Sequence, residues 1–195
     1  DTHNPGTFGA RVRSLVRQLE AQGAEVTVWS TIRDRRRGYL MWGAYLLSRK
    51  RSQAAVQRGV HLLDRVNRDW GLRVPIRWFH PAGWRATVRA ARVMADAYDV
   101  VYATRDGARS SRHYDAEAVD LSAVDLPRSL TLEAPHGARR TFDLSAPHQP
   151  RDLSLSPGLI EWIEVHFRME KLRDDYPHWN DADIPLAPLR VASHP

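Results

Sequence analysis

The chain has no cysteine in its 195 residues. That excludes disulfides, thiolate metal sites and a cysteine nucleophile. Any metal centre must therefore be built from imidazole and carboxylate. Lysine is almost as scarce: of 29 basic residues, only Lys50 and Lys171 are not arginine. No apolar run approaches the roughly 18 residues of a membrane helix, so no transmembrane segment is expected. The opening Asp1-Thr2-His3-Asn4-Pro5-Gly6 lacks the basic-then-apolar pattern of a signal peptide. Neither an internal repeat nor a low-complexity linker divides the sequence.

What the chain does carry is positive charge, +6 net. A basic surface suits an anionic partner such as nucleic acid, anionic lipid or an acidic wall polymer. Arginine preference also follows from GC-rich coding, so the bias alone assigns no chemistry. Hydrophobic residues make up 43%, an ordinary globular share. The length suits one domain, here 1–184, followed by a proline-rich tail at 185–195.

Hydrophobic period gives a coarse map. Phe8, Val12, Leu15 and Leu19 share a helical face, and Gly23 closes that helix. Glu25–Ile32 alternates and is rich in β-branched residues, which predicts a strand. Gly38–Leu47 is apolar on most sides, as in a buried helix. Ser52–Trp70 and Trp84–Tyr98 read as further helices. Val74–Phe79 reads as a short strand or extended segment at an edge because of Pro75. Val100–Ala103 reads as a buried strand. Ser129–Glu133 and Arg140–Leu144 alternate around Pro135-His136-Gly137, a hairpin pattern. Pro157 opens a last helix that runs on to Leu172. Helices and hairpin strands mix without regular βαβ alternation. The expected class is α+β, a small antiparallel sheet flanked by helices.

The chemistry-bearing stretch is Ser111-Arg112-His113-Tyr114-Asp115-Ala116-Glu117-Ala118-Val119-Asp120. Residues seven apart face opposite ways on a strand, and on a helix they sit about 10 Å apart. One zinc needs each donor at about 2 Å. His113 and Asp120 can therefore share an ion only if the chain bends between them, at Asp115-Ala116, and enters a strand at Glu117–Leu121. Asp120, set between Val119 and Leu121, needs a partner or a metal if buried. For a third ligand there are two candidates. His178 follows Pro177, which breaks helix and forces an extended approach. His166 lies in the helical run Glu164-Val165-His166-Phe167.

These residues resemble a known pattern. Ser111, His113, Ala118 and Asp120 match the S-x-H-x-x-G-x-A-x-D signature of the D-Ala-D-Ala carboxypeptidase and hedgehog-type zinc peptidases. Asp175-Tyr176-Pro177-His178 is similar to the D/E-x-x-H signature of the same family. The family glycine is Ala116 here. If that position needs a positive φ, alanine costs about 1–2 kcal/mol. The resemblance implies a hedgehog/DD-peptidase-like fold. It implies Zn²⁺ held by His113, Asp120 and His178, with Asp175 as the base that takes a proton from water. It also implies a substrate-facing arginine after the first strand, here Arg33 in Ser30-Thr31-Ile32-Arg33, to stabilise the oxyanion. Ser111 is placed against substrate by the same analogy. The implied activity is hydrolysis of peptidoglycan stem or cross-link peptides, as a D,D- or L,D-carboxypeptidase or endopeptidase. A periplasmic or secreted location follows, with any signal peptide outside this chain. Two other readings stand beside it. One is an arginine-rich nucleic-acid-binding module, although no zinc-finger, helix-turn-helix or aromatic RNA-binding signature is present. The other is a zinc-binding relative without catalysis.

Overall fold

A computed structural model describes residues 6–183. The first five residues and the proline-rich tail at 185–195 lie outside the described residues. The chain folds as α+β, with small antiparallel sheets. It divides into two compact units. The first comprises the segment up to Ile32 and the segment from Asp115 on; the second is Arg33–Tyr114. Among the described residues, no helix is long and apolar enough to cross a membrane.

The first unit opens with α1 (Phe8–Ala21), capped at its start by the Thr7 hydroxyl, which accepts from the Ala10 N–H. Phe8, Val12, Leu15 and Leu19 are its buried apolar stripe. Gly23, at φ 85°, lets the chain reverse into β1 (Glu25–Ser30). β1 is two residues shorter than the alternating pattern suggests. The main sheet runs in the order β1-β2-β6-β5, every pair antiparallel. β2 is Ala118–Val124, β5 is Met169–Lys171 and β6 is His178–Asp181. The last helix, α6 (Pro157–His166), ends earlier than its sequence suggests, because Arg168 takes φ 54° and turns the chain into β5.

The hairpin β3 (Ser129–Glu133) and β4 (Arg139–Asp143) forms a separate two-stranded sheet. Two glutamines, Gln18 in α1 and Gln22 at its C-cap, bond to the β3 backbone. Gln18 donates to the Glu133 carbonyl at 2.9 Å and accepts from its N–H at 2.7 Å. Gln22 does the same with Thr131, at 2.7 and 2.8 Å. Polar groups on a strand edge need partners, and here a helix supplies them. Leu15, Leu19, Leu121, Leu130, Ile163 and Trp179 belong to the core these elements enclose.

The second unit is helical: α2 (Arg35–Ser48), α3 (Gln53–Asp69), α4 (Trp84–Ala97) and the short α5 (Arg105–Arg109). Its core gathers Tyr39, Trp42, Leu47, Val56, Leu63 and Trp78. The Tyr39 hydroxyl accepts from the Trp78 indole N–H at 2.6 Å and donates to the Leu63 carbonyl at 3.1 Å. Val74–Phe79 is extended but pairs with no strand. Pro75 has no N–H to give, and the Asn67 side chain takes both backbone groups of Val74 instead. Val100–Ala103 is a correction to the sequence reading: Val101 is 86% exposed, and the segment is not a strand. Asp99, at φ 51°, swings it away from α4. A four-residue apolar run carries no information about which surface it meets.

Gly43 packs directly beneath the Trp78 ring, and a Cβ there would overlap the indole. Trp78 is buried and hydrogen-bonded, so it cannot step aside. Overpacking of this kind costs about 1–3 kcal/mol, against a helix-propensity gain of about 1 kcal/mol for alanine. Gly43→Ala is expected to lower stability in urea titration by about 1 kcal/mol; an unchanged midpoint would show that the ring yields freely.

Candidate metal centre

Asp120 and His178 stand directly opposite each other in the antiparallel pairing of β2 with β6. In that register Val119 faces Trp179, and both are buried. Side chains alternate along a strand, so packing Val119 and Trp179 into the core turns Asp120 and His178 to the other face together. There the His178 Nδ1 lies 3.0 Å from Asp120 Oδ1. His178 Nε2 lies 2.9 Å from the side-chain oxygen of Asn180, two residues on and on the same face.

His113 comes from the segment that precedes β2 in the sequence. It sits in a 3-10 turn, Arg112–Asp115, and is 1% exposed. The bend expected at Asp115-Ala116 is there, with Ala116 at φ 60°. The chain then enters β2. One ligand atom from each of His113, Asp120 and His178 lies within 4.8 Å of the other two. Two imidazoles and a carboxylate at that spacing could hold a metal ion, drawn together from three places in the sequence. In a metal centre, an imidazole ligand usually donates its second N–H to a carbonyl or carboxylate, which fixes its tautomer. The Asn180 oxygen is placed to accept that proton from His178 Nε2, leaving Nδ1 toward Asp120. The donor set therefore fits a divalent cation.

The electrostatics agree. Burial by itself would lower the pKa of His178. Its hydrogen bonds to Asp120 and Asn180, with the charges of Asp120 and Asp175, outweigh that and raise it above the ordinary imidazole value. The groups that favour positive charge on the ring also favour a cation bound beside it, and a metal would have to displace any proton held on Nδ1.

Asp175 lies in the exposed turn just before β6. Its backbone carbonyl accepts from the His178 N–H at 3.1 Å. That turn is wrapped around Lys171, a residue the sequence reading passed over. Lys171 is 6% exposed, and its ammonium donates to the carbonyls of Leu172, Asp175 and His178 at 2.8, 2.7 and 3.3 Å. Burial is the main influence on its pKa and lowers it, against the pull of Asp175, Glu164, Asp120 and Asp152. Its three tetrahedral donors match three converging carbonyls, a geometry that a planar guanidinium does not reproduce. The available signal was a lone lysine among the arginines of its half of the chain.

The remaining candidates are placed as follows. The Arg33 backbone N–H donates to the His113 carbonyl at 3.0 Å, which ties Arg33 to the turn that carries His113. Burial raises the pKa of Tyr114, next to His113, and the charges of Arg33 and Arg35 oppose that rise. Ser111 is half-buried, and its carbonyl accepts from the Tyr114 N–H at 3.0 Å. His166, the other candidate third ligand, lies at the end of α6. There it stacks on His136, with ring nitrogens 3.2 Å apart, and is not one of the three clustered residues.

No family model, no curated protein and no solved structure matches the chain.

Two outcomes are expected. Purified protein loaded with a divalent metal and desalted should retain about one ion per chain, and His178→Ala should retain none; an equal metal content in the two proteins would place the ion elsewhere. Ala116→Gly relieves a left-handed backbone cost of about 1–2 kcal/mol, less the chain entropy glycine loses. The variant should therefore melt higher, by a gain on the order of 1 kcal/mol, with metal content unchanged; a lower melting temperature would contradict the strain at this bend.

Proposed function

We propose that the chain is a zinc peptidase acting on the stem or cross-link peptides of peptidoglycan, with a hedgehog/DD-peptidase-like fold. The observation that carries this reading is the convergence of His113, Asp120 and His178, the same residues that the two sequence signatures single out. Imidazole nitrogen and carboxylate oxygen are zinc donors, and three of them leave a fourth position open to water or substrate. Zinc held there supplies a Lewis acid and a water acidified to a pKa of about 7.

The chain's own residues do the rest. Asn180 keeps the second proton of His178 on Nε2 and so holds the ring in one orientation. Asp175, in the turn that Lys171 fixes, takes a proton from the attacking water and hands it to the leaving amine. Arg33 stabilises the negative charge on the carbonyl oxygen, a contribution of about 3 kcal/mol per donor in such sites. Ser111 hydrogen-bonds the substrate. The arginine-rich surface favours approach to an anionic wall, consistent with a periplasmic or secreted protein.

The test is digestion of purified peptidoglycan, with mass analysis of the muropeptides released. Cleavage is expected with the zinc-loaded protein. It should stop when a chelator is added and resume when zinc is restored. Asp175→Ala should keep its zinc and lose at least a hundredfold in rate. Release that ignores the chelator, or full activity in Asp175→Ala, would sink the proposal.

A further inference from the structure

The second unit holds a cleft of about 430 Å³ that has no part in the chemistry above. Its lining includes Tyr45, Arg49, Lys50, Arg51, Arg92 and Asp96. Three of the four cations are consecutive in sequence. Arg49-Lys50-Arg51 forms the corner between α2, which ends at Ser48, and α3, which starts at Gln53 behind the cap residue Ser52. Arg92 and Asp96 come from α4, one turn apart.

The charges are unbalanced. Four cationic side chains face one carboxylate, and none of the four forms an ion pair with a carboxylate among the described residues. The first turn of α3 carries no acidic residue either. Like charges crowded around a concave surface repel one another, and the local potential they create is relieved by a bound anion. One of the four is already held in place. The Arg49 guanidinium lies over the Tyr45 ring, 4.3 Å from its centre, and Tyr45 in turn meets the edge of Tyr102. A guanidinium fixed by a ring loses less freedom when it binds a ligand.

We infer that this cleft is a binding site for a diphosphate group carried on a small organic ligand. Guanidinium forks match phosphate oxygens in pairs, and lysine adds a point charge. Several cations against one carboxylate suit a multiply charged anion better than a single carboxylate. The volume lies in the range of small-molecule sites and exceeds what one phosphate fills, leaving space for the group the diphosphate esterifies. This site does not depend on the zinc peptidase reading.

Isothermal titration of the full chain with inorganic pyrophosphate should saturate at one per chain, at least tenfold tighter than inorganic phosphate. The double variant Arg51→Gln/Arg92→Gln should weaken pyrophosphate at least tenfold while its circular dichroism stays unchanged. Arg65→Gln/Arg68→Gln removes the same charge from α3 outside the lining and should leave binding within twofold. ADP, as a diphosphate ester, should bind at least as tightly as pyrophosphate. Binding that never saturates, or equal weakening in the two double variants, would reduce the cleft to diffuse positive charge and overturn the inference. Exclusion of ADP where pyrophosphate binds would overturn the assignment to an esterified ligand.

Discussion

The register between β2 and β6 is the constraint on which the candidate centre depends. Val119 and Trp179 are opposite each other and buried, so apolar packing selects one alignment of the two strands. A slip of β6 by a single residue would turn His178 into the core, away from Asp120, and expose the Trp179 indole. The core thus decides which polar side chains meet on the far face. A second fastening acts at the end of β6, where buried Arg11 of α1 reaches Asp181 at 2.6 Å and Asp183 at 3.1 Å. A buried ion pair adds little net stability against an apolar alternative, but breaking it strands a charge. It therefore resists displacement of the strand that carries His178.

Lys171 applies the same logic on a shorter scale. The turn between β5 and β6 presents several backbone carbonyls within a few residues, and three of them point at one ammonium. Carbonyl oxygens left unmet beside a core cost free energy comparable to a lost hydrogen bond. One lysine meets them and, in doing so, fixes the segment bearing Asp175. The position of a candidate base is set here by its main chain, with its side chain left at the surface.

Much of this was legible in the sequence, for identifiable reasons. α1, α3 and α4 have long apolar stripes at helical spacing, and a long stripe admits one interpretation. The β3–β4 hairpin has alternation on both sides of a glycine-bearing turn. The need for a bend before Asp120 followed from ligand geometry alone, and Ala116 does take the left-handed conformation. The failures share a cause. β5 is three residues long, too short to show a period, and it follows a helix whose pattern continues smoothly through it. Val100–Ala103 has the composition of a buried strand, yet Val101 and Tyr102 are exposed. Composition reports what a segment could cover, and tertiary context decides whether anything is there to be covered. The clustering of His113 with Asp120 and His178 was readable only as a pattern, since spacing along a chain does not give distance between strands. Asn180 and Lys171 gave still less signal, because their partners are main-chain groups or side chains that only folding assembles.

The scarcity of lysine has a practical consequence for handling the molecule. Lys171 is sealed under its own carbonyls, so Lys50 is the side-chain amine within reach of acylating dyes, aldehyde fixatives and amine-coupling resins. Apart from the α-amino group that every chain carries, a label attached that way would sit at one defined spot, the α2–α3 corner, and selective coupling at that spot would present every copy in the same orientation.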